Sequence, residues 1–413
     1  MNKLKILDLF AGCGGLDDGF LQTGHFETVA AVEWLKPQVD TLRKRLNDKW
    51  NKKDADEIVM HFDIQRENEL FSGWQSDEDF GDHAGLDSLV HQKNGIDVVI
   101  GGPPCQAYSI AGRVRDENGM KDDYRNYLFE HYLHVVERYQ PKIFIFENVP
   151  GMLSAQPGDT PVTELIKEGF SSIGYEIIND LKQYTKIDAS DYGVPQSRKR
   201  VILIGINRSI FNHIDIQEAL KSFYTEILPK YHVPKKLTVR EAIGDLPTFQ
   251  PLHDEESHKK KSAYKLLNST PVNITWHEAR YHNLRDMEIY KMLAADIETG
   301  ENKYINSKEL SKIYQERVGS HSPIHRYHVL RPDQPSTTII AHLYKDGNRF
   351  IHYDSKQSRS ITPREAARLQ SFDDDFDFCG SRGAVYQMIG NAVPPLLAKK
   401  IALAVYDFLN LTK

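Results

Sequence analysis

A lone cysteine behind two prolines is the most chemically pointed feature of the chain. The stretch Gly101-Gly102-Pro103-Pro104-Cys105-Gln106 follows an apolar run that ends at Ile100. The rigid proline pair presents Cys105 at a strand tip, ahead of a polar loop, where a thiolate is accessible and can act as a nucleophile. A free cysteine is more often a small inert hydrophobe, and Cys13 and Cys379 are read that way. The loop from Gln106 through Tyr124 is rich in Gly, Asp, Asn and Arg, a composition that suits a lid.

Four further stretches offer partners for such a nucleophile. Glu147-Asn148-Val149-Pro150-Gly151 sets a carboxylate at the tip of another apolar run, either as a satisfied strand-end acid or as a ligand reader. Gln196-Ser197-Arg198-Lys199-Arg200 precedes the run Val201–Ile204. Arginines two apart in extended chain point the same way, so Arg198 and Arg200 can face one site; the plain alternative is a solvated basic turn. Asp8 to Gly15 runs a strand into a glycine turn and a helix, which brings backbone N–H groups close to a cofactor. Phe10 offers a flat apolar face for an adenine, and Glu33, 19 residues after Gly14, sits where an acid grips a ribose diol. Core packing for Phe10 and solvation for Glu33 are equally good readings of either residue alone. A pyrophosphate is disfavoured, because Asp17 occupies the third glycine place of the dinucleotide fingerprint. The fifth stretch is Gly390-Asn391-Ala392-Val393-Pro394. His277-Glu278 with His282 is one residue too long for a zinc-protease pair, and His258-Lys259-Lys260-Lys261 reads as a solvated turn.

These residues need a scaffold, and the first half supplies one. Apolar runs at Ile6–Phe10, Val29–Val32, Val98–Ile100, Ile143–Phe146 and Val201–Ile204 mostly end at Gly, Asp or Glu, as buried parallel strands do. A further short run, Val59–Phe62, ends at Asp63. Between them lie helical patterns such as Tyr127–Tyr139, with Leu128, Tyr132, Val135 and Val136 on one stripe and Pro141 beyond. Alternating strands and helices predict an α/β fold with a doubly wound, mostly parallel sheet. Arg66–Asp87, acidic and turn-rich, is expected to be a surface insertion.

After Gly205 the texture changes. Residues 206–340 carry 19 Lys or Arg against 17 Asp or Glu, and nine of the 17 histidines, whereas the rest of the chain is acidic. Thr238-Val239-Arg240-Glu241 reads as a capping box opening a helix that stops at Gly244. Thr362-Pro363-Arg364-Glu365 has the N-cap, Pro at N1 and Glu at N3 of another helix. The chain closes with an apolar helix from Pro394 to Leu409 that carries Lys399 and Lys400 on its wet side. The division expected is 1–206 with 384–413 as one domain, and 207–383 as a smaller, irregular one that includes the helix starting at Pro363.

Composition bounds the rest. A 413-residue chain that is 40% hydrophobic and 27% charged can bury a sizeable core, so disorder is excluded as its main state. A net charge of −6 excludes a polybasic protein but leaves room for a local basic cleft. Three cysteines exclude a disulfide scaffold and any paired C-x-x-C zinc pattern. The absence of an 18-residue apolar run and the early charges predict a soluble, intracellular protein.

Taken together and in order, the stretches resemble the cytosine-C5 DNA methyltransferases of the prokaryotic restriction-modification type. Asp8–Gly15 is similar to that family's S-adenosylmethionine loop, Pro104-Cys105-Gln106 to its nucleophile motif and Glu147-Asn148-Val149 to its base-reading motif. Gln196-x-Arg198-x-Arg200, Arg364-Glu365-x-x-Arg368-Leu369-Gln370 and Gly390–Pro394 match its other signatures. The resemblance covers residues 4–206 and 359–405, breaks no motif position and implies the family's methyltransferase fold.

It also implies roles. Cys105 would add to C6 of a flipped-out cytosine, with Glu147 at N3 and the amino group, Arg198 at O2, and Arg200 beside them. S-adenosylmethionine would rest on Phe10, Gly12, Cys13, Gly15, Glu33, Trp34, Asp63, Ile64, Gly102, Pro104, Leu128, Asn391 and Val393. Double-stranded DNA would meet Gln106, Ser109, Arg113 and Gln196. No metal is required by this chemistry. Target reading would fall within residues 207–359, where His253, His258, His277, His282, Arg280 and Arg285 suit base-edge and phosphate contacts, although the sub-segment His277 to Leu293 reads more readily as a helical structural support. The implied setting is a monomer on DNA in a prokaryotic cytoplasm, with a cognate restriction endonuclease as partner or as an orphan relative. Two other readings compete. The family's transfer-RNA branch carries a Cys-Phe-Thr tripeptide in its middle region, and this chain has no cysteine between Cys105 and Cys379. A DNA-binding module with a dead site would have no need for Cys105, Glu147 and Arg198 together.

Overall fold

All five main apolar runs become strands of one sheet in the computed structural model of the chain, which describes residues 3–103, 128–156, 160–272, 274–319, 327–345 and 347–412. In chain order the strands are β1 (Leu4–Leu9), β2 (Phe26–Glu33), β3 (Val59–His61), a hairpin of β4 (Trp74–Asp77) and β5 (Gly81–His83), β6 (Val98–Gly101) and β7 (Ile143–Asn148). They continue with β8 (Tyr175–Ile177), β9 (Lys186–Asp188) and β10 (Lys199–Asn207). The sheet runs β3-β2-β1-β6-β7-β10-β8, with β9 beside β10. From β3 to β7 the pairing is parallel, while β10 is antiparallel to β7, β8 and β9. Winding outward to β3 and returning at β6 puts the topological switch point at β1 and β6, where such sheets bind ligands.

The chain divides into two compact units. The first comprises Met1–Gly193, Arg198–Pro234 and Ala392–Lys413, and the second Val194–Ser197 and Lys235–Asn391. The expected boundaries at 206/207 and 383/384 are therefore corrected. Residues 207–234 stay with the sheet because Gln217 donates to Ile177 O at 3.0 Å, and the Tyr224 hydroxyl exchanges hydrogen bonds with the backbone of Ile202 and Ile204. At the other end, the helix Arg382–Asn391 belongs to the second unit. There Gly390 lies so close to the Ile340–Ala341 backbone that an added Cβ would sit 2.3 Å from Ile340 C.

Within the first unit, the helix Gly15–Leu21 packs on the helix Pro395–Leu411 through glycine: a Cβ on Gly19 would lie 2.4 Å from Ala398 Cβ. The segment 382–411 is long and apolar enough to cross a membrane by composition, yet 67% of its most apolar window is buried, as in a core helix. The surface-insertion reading of Arg66–Asp87 is overturned. Its helix Glu67–Ser72 and its hairpin send Leu70, Phe71 and Trp74 into the main core, the start of the next helix, Gly85–Gln92, adds Leu86, and Trp74 stacks on Phe62 at 3.7 Å. An acidic outer face hid apolar residues spaced irregularly across a helix, a turn and a hairpin.

Among the described residues the second unit has little regular sheet, only β11 (Phe249–Pro251) paired with β12 (Tyr264–Leu266). Both capping boxes form as read, Thr238 with Glu241 and Thr362 with Glu365, opening the helices Val239–Ile243 and Pro363–Leu369. Two longer helices, Leu284–Glu298 and Ser307–Val318, share an apolar cluster that includes Ile289, Leu293, Leu310 and Ile313. Much of the remaining cohesion is polar. Arg359 grips both oxygens of Glu365 at 2.7 and 2.6 Å, and Gln357 Oε1 also accepts from it. Burial alone would raise the Glu365 pKa, but the Arg359 charge and hydrogen bonds hold it down to about 2.

Candidate functional site

Strand register lines up the predicted residues along one edge of the sheet. Leu9 pairs with Val32 on one side and Gly101 on the other; Glu33 pairs with His61, and Gly101 with Phe146. The next residues out, Phe10, Trp34, Phe62, Gly102 and Glu147, therefore emerge side by side at the carboxyl ends of parallel strands. Asp63 and Ile64 follow one step further along the same edge. Leu128, which opens the helix Leu128–Tyr139, is buried in the core cluster that also holds Leu9 and Ile64.

The turn after β1 is built for close approach. Phe10 adopts a left-handed conformation (φ 56°) and is half-buried, and Gly14 caps the following helix at φ 86°. Gly15 admits no side chain, since a Cβ would meet Val393 O at 2.4 Å. Glu33 braces the turn: its carboxylate accepts from Gly12 N at 2.9 Å and from Leu35 N at 2.8 Å. Burial raises its pKa, opposed by these hydrogen bonds. Trp34 beside it is 53% exposed, a free aromatic face. Cys13 is buried, and burial pushes its thiol up, which fits the inert reading.

A residue given no role from sequence proves the most unusual here. Asp8 is buried, and neither carboxylate oxygen has a hydrogen-bond partner among the described residues. Burial raises its pKa well above the usual range, reinforced by the negative charges of Asp17 and Glu33. Its sequence signal was an acid inside the apolar run Leu4–Leu9. An orphaned buried carboxylate invites a cationic ligand group. Three acids around one turn favour a cationic ligand over a pyrophosphate.

Beyond β6 the second group converges. Glu147 Oε1 pairs with Arg200 Nε at 2.8 Å, and Gly102 leaves room for the carboxylate, since a Cβ there would lie 2.8 Å from Glu147 Oε2. Asn148 ties this edge together by donating to Pro103 O at 3.3 Å. Arg198 is buried and donates to Ala392 O at 3.1 Å. Burial, and then the Arg200 charge, lower its pKa, while Glu147 opposes them. A carboxylate and two guanidinium groups thus gather beside Gly102, three residues before Cys105.

Other predicted residues stand elsewhere. Pro104, Cys105, Gln106, Ser109 and Arg113 lie outside the described residues. Val393 is buried, whereas Asn391 is exposed at the end of its helix in the second unit. Gln196 is corrected: it is fully buried, donates to Leu369 O at 3.1 Å and accepts from Ile339 N at 2.9 Å, so its amide is committed to holding the second unit together. His277 and His282 are buried against Pro247 O and Ser360 Oγ, as the structural-support reading of that segment expects, rather than presented to a ligand. Burial lowers both pKa values, that of His282 to about 3. Arg280 donates to Tyr344 O, Arg285 pairs with Asp286, and His258 contacts Leu252 O, while His253 is exposed. An open cavity of about 330 Å³ in this unit is lined by Phe249, Lys261, Tyr264, Glu278 and Tyr281, among others.

Over residues 4–407 the chain matches the family model described as C-5 cytosine-specific DNA methylase. It is 34% identical to Type II methyltransferase M.Bpa9945I of Bacillus paralicheniformis, with 98% of this chain and 99% of the relative covered. It is 33% identical to Type II methyltransferase M1.HphI of Haemophilus parahaemolyticus, covering 98% and 87%. Among solved structures, a prophage-encoded chain described as a DNA modification methyltransferase (E. coli) matches with TM-score 0.63 at 23% identity, covering 99% of this chain and 100% of that one. The S. pombe Dnmt2 methyltransferase matches with TM-score 0.54 at 14% identity, covering 99% of each. The structural likenesses bear on the fold alone.

Proposed function

The chain belongs to the C-5 cytosine-specific DNA methylase family, and on that premise we propose that it methylates carbon 5 of a cytosine within one double-stranded DNA word through a covalent adduct on Cys105. The observation that carries the reading is the gathering of Glu147, Arg200 and Arg198 beside Gly102, at the edge that leads into Pro103, Pro104 and Cys105.

The chemistry asks for these groups. Carbon 5 of cytosine is a poor nucleophile until a thiolate adds at C6, which makes C5 enamine-like. S-Adenosylmethionine, when bound, supplies the methyl group that C5 accepts. Loss of the C5 proton and expulsion of the Cys105 thiolate then restore the ring. Adding the thiolate builds negative charge on N3 and O2, so a proton at N3 and a positive partner at O2 lower the barrier. Glu147, oriented by Arg200, serves N3 and the amino group. Arg198, buried beside Glu147 and Arg200, serves O2. The base must leave the duplex to reach this pocket, and Gln106, Ser109 and Arg113 would follow the DNA.

The residues of the turn fit the methyl donor, whose sulfonium and ammonium are both cationic. Asp8 offers a buried carboxylate with no hydrogen-bond partner among the described residues, Glu33 and Asp63 lie at neighbouring strand ends, and Phe10 and Trp34 present apolar faces. Gly12, Gly15, Gly102 and Ile64 would admit or line the same ligand, with Leu128 and Val393 behind them. We place the protein in the cytoplasm as a monomer on DNA, in a type II modification setting, paired with an endonuclease of the same site or acting alone.

Target reading is assigned to residues 235–391, where Lys261, Glu278 and Tyr281 line an open cavity. Methylation calling on DNA from cells expressing the protein should find 5-methylcytosine confined to one short word. Folded, expressed protein with no modified cytosine would overturn the reading. A chimera carrying residues 235–391 of a relative with a different target should modify the relative's word using Cys105. Retention of the original word would move recognition out of that unit.

A further inference from the structure

The helix Leu128–Tyr139 carries His131 and His134 one turn apart on one face. Both present Nδ1 to the same atom, Glu67 Oε1, at 2.5 and 2.7 Å. Glu67 opens the helix Glu67–Ser72, so two separate elements converge on one point. The three prospective ligand atoms lie within 4.8 Å of one another. His131 and Glu67 are half-buried, and His134 is half-exposed, which leaves solvent access from one side.

We propose that Glu67, His131 and His134 form a binding site for a first-row divalent transition-metal ion, Zn²⁺ being the probe of choice. Both imidazoles would bind through Nδ1 with their ring protons on Nε2, Glu67 would give one oxygen, and water would complete a tetrahedron. Two imidazoles and one carboxylate suit zinc, cobalt, nickel or copper, whereas magnesium and calcium want oxygen ligands throughout. Bonds of about 2.0–2.2 Å in a tetrahedron put ligand atoms roughly 3.3 Å apart. Small side-chain rotations open the present spacing to that value.

The frame around the site is stiff, which favours a formed site over a chance cluster. Leu70 and Phe71 anchor the Glu67 helix in the core. At the far end of the histidine helix, Arg138 and Tyr139 both bond Asp87, at 2.8 and 2.9 Å, and Arg138 lies over the Phe71 ring at 4.4 Å. The segment 66–87 is thus tied to that helix at both ends. A metal would turn the Glu67 tie from hydrogen bonds into a coordinate cross-link, with no part in methyl transfer.

Full-length protein stripped with a chelator should bind one equivalent of Zn²⁺ by calorimetry that His134→Ala removes or weakens at least tenfold. Glu67→Gln should weaken the same equivalent, and Zn²⁺ should raise the thermal midpoint of wild type but not of His134→Ala. Cobalt should give the visible bands of a tetrahedral N,O site in wild type only. Suppose the double variant His131→Ala/His134→Ala, folded by circular dichroism, takes up as many equivalents as tightly as wild type. That result would overturn the proposal and leave a hydrogen-bonded triad. Absence of the cobalt bands from wild type would do the same.

Discussion

Both units of the chain bury a carboxylate held by an arginine, Glu365 by Arg359 and Asp18 by Arg45, but around its β1 turn the first unit also buries acids that no arginine compensates. In the second unit Glu365 is locked between the two arms of Arg359, and its pKa is driven down to about 2. In the first unit Asp8 has no partner among the described residues, and Asp17 holds one hydrogen bond, from Thr28 at 2.7 Å. Burial raises the pKa of both, that of Asp17 to about 7. The contrast separates structure from readiness to bind. The first unit has an eight-stranded sheet to hold it, so its backbone ladders tolerate uncompensated acids around the β1 turn. Among the described residues the second pairs only β11 with β12 as named strands, and polar ties such as those of Arg359 to Glu365 and Gln357 add cohesion that ladders supply elsewhere.

Four experiments test this contrast. The largest effect should come from Cys105→Ser, which should reduce methyl transfer at least about a thousandfold, while S-adenosylmethionine binding and specific DNA binding persist. Wild type should be trapped covalently by duplex carrying 5-fluorocytosine at the target. Transfer by Cys105→Ser near the wild-type rate would remove the nucleophile assignment.

Arg359→Ala should cost about 3–5 kcal/mol, because it strands a buried charge on Glu365. Hydrogen exchange should rise across residues 235–391 while β1, β6 and β7 stay protected. A uniform rise would show that the two units do not differ in how they are held.

Asp17→Asn probes the opposite case. Between pH 3.8 and about 7 the unfolded chain has lost this proton and the folded chain keeps it, so Asp17 makes stability fall as pH rises through that window. The loss is at most about 4 kcal/mol. Denaturant titrations should show a shallower fall for Asp17→Asn than for wild type from pH 4 to 8. Parallel curves would mean that the buried acid is compensated after all.

The smallest effect expected is for Glu33→Ala, roughly ten- to a hundredfold in S-adenosylmethionine affinity, or about 1.4–2.7 kcal/mol, with DNA affinity unchanged. Calorimetry giving equal cofactor affinities would reduce Glu33 to a brace for Gly12 and Leu35.

Legibility from sequence followed the same division. Strands buried on both faces announce themselves as apolar runs, so β1, β2, β6, β7 and β10 could be read directly, and their ends gave Phe10, Glu33, Gly102 and Glu147. Helix starts with a capping box were equally plain, because Thr238 and Thr362 satisfy a local rule. What could not be read depended on partners distant in sequence. Gln196 is expected to meet DNA because the resemblance of Gln196-x-Arg198-x-Arg200 implies it, yet its amide is spent on Ile339 and Leu369. His277 and His282 drew attention by type, but their backbone and hydroxyl partners lie tens of residues away. The boundary at 234/235 was hidden because Tyr224 docks on β10 through a single hydroxyl, a contact with no periodic signature.

The seam between the helices Gly15–Leu21 and Pro395–Leu411 also constrains how the protein comes into being. Gly15 and Gly19 have no side chains because the backbone at Val393 and Pro395 and the Ala398 methyl occupy that space. On the ribosome, the turn that follows β1 emerges well before the helix that closes over it. Throughout synthesis of the intervening residues, this glycine face must wait uncovered. A nascent chain therefore cannot complete this seam early, and a truncation before Pro395 should yield a protein with β1 made but the glycine face left open. Competence to modify DNA would arrive all at once, when the helix Pro395–Leu411 has been made.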